Sequence, residues 1–381
     1  MHLVDQDADA RVPFFDWPAL FAERSADYLR IIEQTASRGG YILQDAVDEF
    51  ERKLAAYVGV KHAIGVSDCT NAMLLGLRAS EIKPGEEIIL PSHSFIAAAQ
   101  SIHFAGAVPV PVELDDEDGW LIDPAAVCSA ISTRTRAIMA VHVNGRVCKM
   151  DSLQAIADEH GLEIYEDAAQ ALGATLDGRH AGSFGRWAAF SFYPSKTLGC
   201  FGDAGALLTD DDELAATVRA MRNHGAGPDK VMADDCAIWG TNARIDNIHA
   251  AVLAFKFGSY CEAIDRRRAI ARRYQDAFAG IGALDLPPAP ASDDRHFDIF
   301  QNYEVRCESR DSLRAYLADR NIGTIVQWGG TAIHQFRALG FTQHLPRTDR
   351  FLETSLLLPM NHLLTDEQVA TVIEAVTSFF G

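Results

Sequence analysis

The chain has 381 residues, 48% of them hydrophobic, with a formal net charge of -19 and a pI near 5.0. That length supports a large buried core and a second, smaller domain. The acid excess argues against nucleic acid and anionic membrane as partners, because both attract basic surfaces.

The N-terminal stretch Met1 to Leu20 carries Asp5, Asp7 and Asp9 without a basic, then apolar, leader pattern, so no secretory signal is expected. No run reaches the ~20 apolar residues that span a bilayer. Short apolar runs at His62 to Val66, Glu87 to Leu90, Val108 to Val112, Arg136 to Val141 and Leu162 to Glu166 read as strands. Helical spacing lies between them, as in Asn71 to Ser80 and Ser152 to His160, and this alternation predicts an α/β fold with a largely parallel sheet. Two further strand-like runs, Trp187 to Phe192 and Ala204 to Leu208, flank a loop containing Lys196, Gly199 and Gly202.

Beyond Asp246 a long helical pattern runs through Tyr274, and the arginines Arg266, Arg267 and Arg268 on it read as a solvated face in preference to a partner for a nucleotide diphosphate across a dimer. A Pro-rich link, Leu286 to Pro290, follows. Strand-like Asn302 to Arg306 and helical Ser312 to Arg320 and Asp366 to Phe379 complete a smaller α/β lobe. The expected division is residues 1–254, an N-terminal segment with the large domain, and 255–381, the small one. The seven cysteines are scattered, with no CxxC, as expected of reduced thiols in a cytoplasm and not of a disulfide or metal framework.

The chemistry concentrates on Lys196, in Phe190-Ser191-Phe192-Tyr193-Pro194-Ser195-Lys196, and on Asp167, in Glu166-Asp167-Ala168-Ala169-Gln170 at a strand end. A lysine amine can hold an aldehyde cofactor, and a buried carboxylate can keep a pyridine nitrogen protonated, so the pair points to pyridoxal phosphate (PLP). Taken alone, Asp167 has the lesser alternative of an ordinary strand-end or helix-capping aspartate. Ser67-Asp68-Cys69-Thr70-Asn71 opens a helix whose free N–H groups at Cys69 and Thr70 suit a phosphate, unless it is only a capped turn. Ser191 offers a hydroxyl to the same phosphate, and Phe95, just after a strand, offers a ring face for stacking or simply core. Cys200 has no activating partner and reads as a small buried thiol. Trp328 and the surface histidine His334 either bind sugar or merely fill the small lobe, packing being the commoner outcome for a tryptophan. A nicotinamide dehydrogenase would need GxGxxG after an early strand, and that motif is missing.

In chain order, Gly40-Tyr41-Ile42-Leu43, Lys83-Pro84-Gly85-Glu86-Glu87, Val141-His142-Val143-Asn144-Gly145, the two site motifs, Arg222-Asn223-His224-Gly225 and Gly240-Thr241-Asn242-Ala243-Arg244-Ile245-Asp246 resemble the DegT/StrS-type sugar aminotransferases. The resemblance implies the fold-type I, aspartate aminotransferase-like fold, a large domain with a mostly parallel mixed sheet and a smaller C-terminal α/β domain. It makes Lys196 the Schiff-base lysine and Asp167 the partner of the pyridine nitrogen, with Gln170 on the phenolic-oxygen side. Ser191 and the backbone at Cys69 and Thr70 would hold the phosphate and Phe95 would stack on the ring. Asn242 would reach the phosphate of a neighbouring subunit, implying a homodimer with shared sites.

The implied reaction moves an amino group from L-glutamate to a C3 or C4 ketone of a nucleotide-linked deoxysugar. A keto-inositol acceptor and a non-catalytic PLP- or sugar-binding regulator are the alternatives. A related dehydratase branch carries histidine in place of the lysine. Two stretches depart from the family pattern: Asp68-Cys69-Thr70 stands for Ser-Gly-Thr, and Val326-Gln327-Trp328-Gly329-Gly330 replaces a common His-Tyr-Pro stretch.

Overall fold

The computed structural model describes residues 11–116, 119–227 and 236–381, so Asp5, Asp7 and Asp9 lie outside the described residues. In chain order the strands are β1 (His62–Val66), β2 (Glu87–Pro91), β3 (Val108–Val112), β4 (Thr135–Val141) and β5 (Glu163–Asp167). Next come β6 (Thr175–Leu176), β7 (Arg179–His180), β8 (Trp187–Ser191) and β9 (Gly205–Thr209), and later β10 (His296–Phe297), β11 (Tyr303–Arg306) and β12 (Ser355–Leu358). The main sheet has seven strands in the order β1-β9-β8-β5-β4-β2-β3. All run parallel except β9, which is antiparallel to both neighbours. The strands expected from sequence are all present, within a residue or two at their ends.

The sheet is covered on both faces, which is why its strands read as near-continuous apolar runs. Alternate side chains sort to opposite sides: Ile89, Ile138, Ala140, Phe190 and Leu208 enter one core. Ile88, Leu90, Met139, Trp187 and Leu207 enter the other. The helix Cys69–Ala79 lies close on that second face. A Cβ at Gly76 would come within 2.7 Å of the Trp187 indole, so glycine inside this helix is a packing requirement. Trp187 Nε1 donates to Ser80 Oγ at 3.0 Å, which satisfies the buried indole.

A third core joins the helix Tyr260–Phe278, β11, β12 and the helix Asp366–Phe380, through residues such as Ile270, Tyr274, Val305, Leu356 and Val372. Val12 packs into the same core and pairs with Ile322. The long helical pattern after Asp246 is two helices, Asn247–Lys256 and Tyr260–Phe278, split by a 3-10 turn at Phe257–Ser259. Gly258, a weak helix former, sits in that turn.

Two sequence expectations are corrected here. Arg267 is buried, and its Nη1 donates to the carbonyls of Phe300, Gln301 and Met360 at 3.1, 3.0 and 2.9 Å. Its position on the helix turns it inward, and carbonyls at the end of a loop replace water around the guanidinium. Burial lowers its pKa to about 10. Its neighbour Arg266 does lie at the surface, pairing with Asp366. His334 is fully buried: Nδ1 lies 2.7 Å from Ser92 Oγ and Nε2 lies 2.9 Å from Asp349 Oδ1.

Candidate active site

Because β1, β2, β4, β5 and β8 are parallel, their carboxyl ends share one edge, where ligands of open α/β sheets bind. Asp167 closes β5 between Val141 of β4 and Ala189 of β8. Ser191 closes β8, and Gly205 of β9 pairs with both Ser191 and Val66, the last residue of β1. A cavity of about 590 Å³ opens at this edge, lined by Lys196, Asp167, Cys69, Thr70, Phe95, Gln170 and Ser191 among others. Seven of the eight expected site residues are thus gathered, although they span Cys69 to Lys196 in the chain. Asn242 is the exception: it is exposed, bridges to Asn223, and is not part of the cavity wall.

The loop carrying Lys196 is held on both sides. Lys196 N–H donates to the Tyr193 carbonyl at 2.8 Å. Thr197 N–H and Oγ1 both donate to Gln301 Oε1 at 2.8 Å, and Gln301 Nε2 donates to the Ser195 carbonyl at 2.9 Å. Gly199 folds against Pro194, where a Cβ would meet the Pro194 carbonyl oxygen at 2.5 Å. The glycine content noted in the sequence therefore closes the loop.

Asp167 is buried, and desolvation raises its pKa while the Ala169 N–H (3.1 Å to Oδ1), the Lys196 amine and His142 pull it back. Desolvation likewise lowers the pKa of the Lys196 amine, opposed by Cys69 and Asp167. A buried acid and a buried amine in one cavity, each moved from its ordinary value, form the pattern expected of a reactive site. The Cys148 N–H points at His142 Nδ1 at 3.1 Å, and His142 Nε2 lies 2.9 Å from Glu166 Oε2. Glu166 also takes the N–H groups of Gly182, Phe184 and Gly185 at 2.7, 2.6 and 2.6 Å. Of the two adjacent acids, Glu166 ties down a loop and Asp167 faces the cavity.

At the helix start, Asp68 accepts from Asn71 N–H and Ser67 Oγ, both at 2.8 Å, so its carboxylate is occupied with capping. Cys69 has no left-handed backbone, so this turn accommodates a side chain at that position. Gly205 lies against the turn: a Cβ there would approach the Asp68 carbonyl carbon to 2.4 Å and Cys69 N to 2.6 Å. Phe95, the residue before the helix Ile96–Phe104, leaves 54% of its surface exposed, an apolar face open to a planar ligand. Gln170 accepts the Asn144 N–H on Oε1 at 2.7 Å, which orients its amide. Cys200 is buried, and burial pushes its thiol up to about 11, far from a reactive thiolate.

Sequence reasoning missed several wall residues. Phe14, Phe15 and Trp17 reach the cavity from the N-terminal segment and Asn302 from the C-terminal part of the chain; Gln327 and Trp328, in the stretch already noted as departing from the family pattern, join them. No local motif marks the first three. Trp328, for which packing was the commoner expectation and sugar stacking the alternative, packs against the core and also lines the wall. Amine, carboxylate, hydroxyl and free helix N–H groups around one cavity fit a phosphorylated pyridine aldehyde, with the close Gly205 approach leaving the helix start bare.

Sheet order, lysine loop and buried carboxylate define a fold-type I aminotransferase architecture. The sequence profile of the DegT/DnrJ/EryC1/StrS aminotransferase family matches residues 23–377. The chain is 40% identical to dTDP-3-amino-3,4,6-trideoxy-alpha-D-glucose transaminase of Streptomyces venezuelae, over 96% of this chain and 95% of that protein. It is 35% identical to the pleiotropic regulatory protein of Geobacillus stearothermophilus, over 97% of this chain and 98% of that one. The crystal structure of S. venezuelae DesV in complex with a ketimine intermediate superposes with a TM-score of 0.91 at 39% identity, covering 97% of this chain and 98% of that one. The chain belongs to the DegT/DnrJ/EryC1/StrS aminotransferase family.

Proposed function

We propose that this protein is a PLP-dependent aminotransferase that uses L-glutamate to aminate a C3 or C4 ketone of a nucleotide-linked deoxyhexose. The observation that carries the reading is the buried Asp167 and the desolvated Lys196 in one cavity at the carboxyl edge of the sheet. PLP, when bound, supplies an electron sink for the carbon that loses its proton. Asp167 holds a protonated ring nitrogen by charge. The Cys69 and Thr70 N–H groups and Ser191 Oγ would hold the phosphate, Phe95 would cover one ring face and the Gln170 amide would face the phenolic oxygen. Lys196 Nζ, whose neutral form burial favours, takes the proton from the nitrogen-bearing substrate carbon and later returns one.

The exposed Asn242 belongs, in this reading, to the site of a second copy, making the working unit a homodimer. Seven free thiols favour a cytoplasmic setting. The presence of both Lys196 and Asp167 favours catalysis over a purely regulatory role. The test is the absorbance spectrum of the PLP-loaded protein before and after L-glutamate, for wild type and Lys196→Ala. A glutamate-driven change in the wild type that the variant lacks is expected. A silent wild type would shift the reading to a regulator or another donor, and turnover with keto-inositols but no nucleotide sugar would reassign the acceptor.

A further inference from the structure

We propose that Gln327, seated beside Trp328, is a specificity-determining residue that reads a ring hydroxyl next to the aminated carbon of the sugar; the proposal rests on the nucleotide-sugar reading above. Gln327 lines the cavity and is only 3% exposed, yet neither its Oε1 nor its Nε2 has a hydrogen-bond partner among the described residues. A buried primary amide with donor and acceptor both open is costly, and in native structures such a group is normally completed by something. The ligand group that completes it must donate and accept at once. Carboxylates, phosphates and ketones only accept, so the glutamate carboxylates, the diphosphate and the reacting carbonyl would each leave Oε1 bare. A hydroxyl satisfies both ends.

The surroundings make this a formed subsite. Ile325 and Leu357 exchange backbone hydrogen bonds at 3.3 and 2.8 Å, fixing the segment that presents Gln327 to strand β12. Trp328, Gly329 and Gly330 follow with φ of 50°, 72° and 73°. A tryptophan in the left-handed region is strained, so it persists only where its surroundings hold it. Here the holding contact is His93, whose ring centroid lies 4.9 Å from that of Trp328 and 4.5 Å from that of Phe351. Burial pushes the His93 imidazole down to about 4, so the platform beneath the indole is uncharged at neutral pH. The half-buried Trp328 lines the same cavity as Gln327 and gives an apolar surface for the C–H face of a pyranose beside the polar amide.

The experiment uses the PLP-loaded enzyme, wild type, Gln327→Met and Trp328→Phe. The probes are dTDP-3-amino-3,6-dideoxyglucose and its congeners lacking, in addition, the C2 or the C4 hydroxyl. Calorimetric Kd values without an oxo acid, and kcat/KM with 2-oxoglutarate, are read for each sugar, and the L-glutamate half-reaction is read separately. In the wild type, loss of one of the two hydroxyls should weaken binding and kcat/KM by about 10- to 100-fold. Gln327→Met should erase that preference by weakening the hydroxylated sugar, with a clearly smaller loss in the glutamate half-reaction, since the lost contact is one to the sugar. Trp328→Phe, which keeps an aromatic, should weaken all three sugars together and retain the preference.

No preference in the wild type, a preference that survives Gln327→Met, or equal losses in the sugar and glutamate reactions would each overturn the proposal. So would tighter binding of a UDP-linked 2-acetamido-3-amino sugar than of every hydroxylated probe, or binding of none of the three dTDP sugars by an enzyme that responds to glutamate. A wild type silent to glutamate would instead remove the transamination reading, and the Kd values would still decide the role of Gln327. Should Gln327→Met fail to fold, Gln327→Glu, which keeps the acceptor and loses the donors, carries the same comparison.

Discussion

Replacing Glu304 with glutamine should flatten the dependence of stability on pH between about 4.5 and 7 and make the variant the more stable protein at pH 8. Glu304 lies on β11, is 1% exposed, accepts from Asn144 Nδ2 at 2.7 Å on Oε2, and finds no hydrogen-bond partner for Oε1 among the described residues. Burial raises its pKa from 4.5 to about 7, with Asn144, Ser355 and Arg306 pulling the other way. The folded state therefore binds this proton more tightly than the unfolded state does. The resulting stabilisation is complete below about 4.5 and disappears as pH rises through about 7. At 1.36 kcal/mol per pH unit, the step from 4.5 to 7 corresponds to about 3 kcal/mol. Glutamine keeps the shape, still accepts from Asn144 and never ionises. Urea titrations of both proteins at intervals from pH 5 to 8 would show the wild type losing stability relative to Glu304→Gln by up to about 3 kcal/mol. Parallel curves for the two proteins would refute the assignment. The Asn144 N–H that orients Gln170 belongs to the residue contacting Glu304, so ionisation of Glu304 bears on the cavity as well.

Three further outcomes are expected. Gly205→Ala should drive a methyl into the Asp68–Cys69 backbone, cost about 1–3 kcal/mol and weaken PLP binding; an unchanged Tm and cofactor titration would contradict the close approach. Asp167→Asn should keep the fold and slow the L-glutamate half-reaction by about 100-fold or more, read by stopped-flow absorbance, because the ring nitrogen loses its counter-charge. Arg267→Met should strip the guanidinium donor from three buried carbonyls and lower stability by about 2–3 kcal/mol, measured by denaturant midpoint; a neutral result would mean that water replaces the guanidinium.

Much of the architecture was legible from the sequence because strands buried on two faces need unbroken apolar runs, and helices between them need a 3.6-residue pattern. Ile88-Ile89-Leu90 and Ala137 to Val141 could hardly have been read otherwise. Lys196 and Asp167 were legible because their chemistry is rare at a strand end and within a glycine-rich loop, and because parallel strands deliver their carboxyl ends to one edge. The break at Phe257–Ser259 was hidden, since Gly258 alone is a weak signal inside a helical pattern.

What the sequence by itself determined was the layered α/β fold, with Lys196 in a glycine-rich loop, Asp167 at a strand end and a helix opening at Cys69, all products of local pattern and residue chemistry. Only the tertiary structure decided which polar groups leave water. Arg267 and His334 read as surface residues until partners from distant segments enclose them. Glu304 acquires its raised pKa, and Gln327 its open amide, from packing against residues far away in the chain. The aromatic residues Phe14, Phe15 and Trp17 reach the cavity only because the N-terminal segment folds back against the C-terminal part of the chain, where Val12 pairs with Ile322. Desolvation depends on everything surrounding a group, and no window of sequence contains that surrounding.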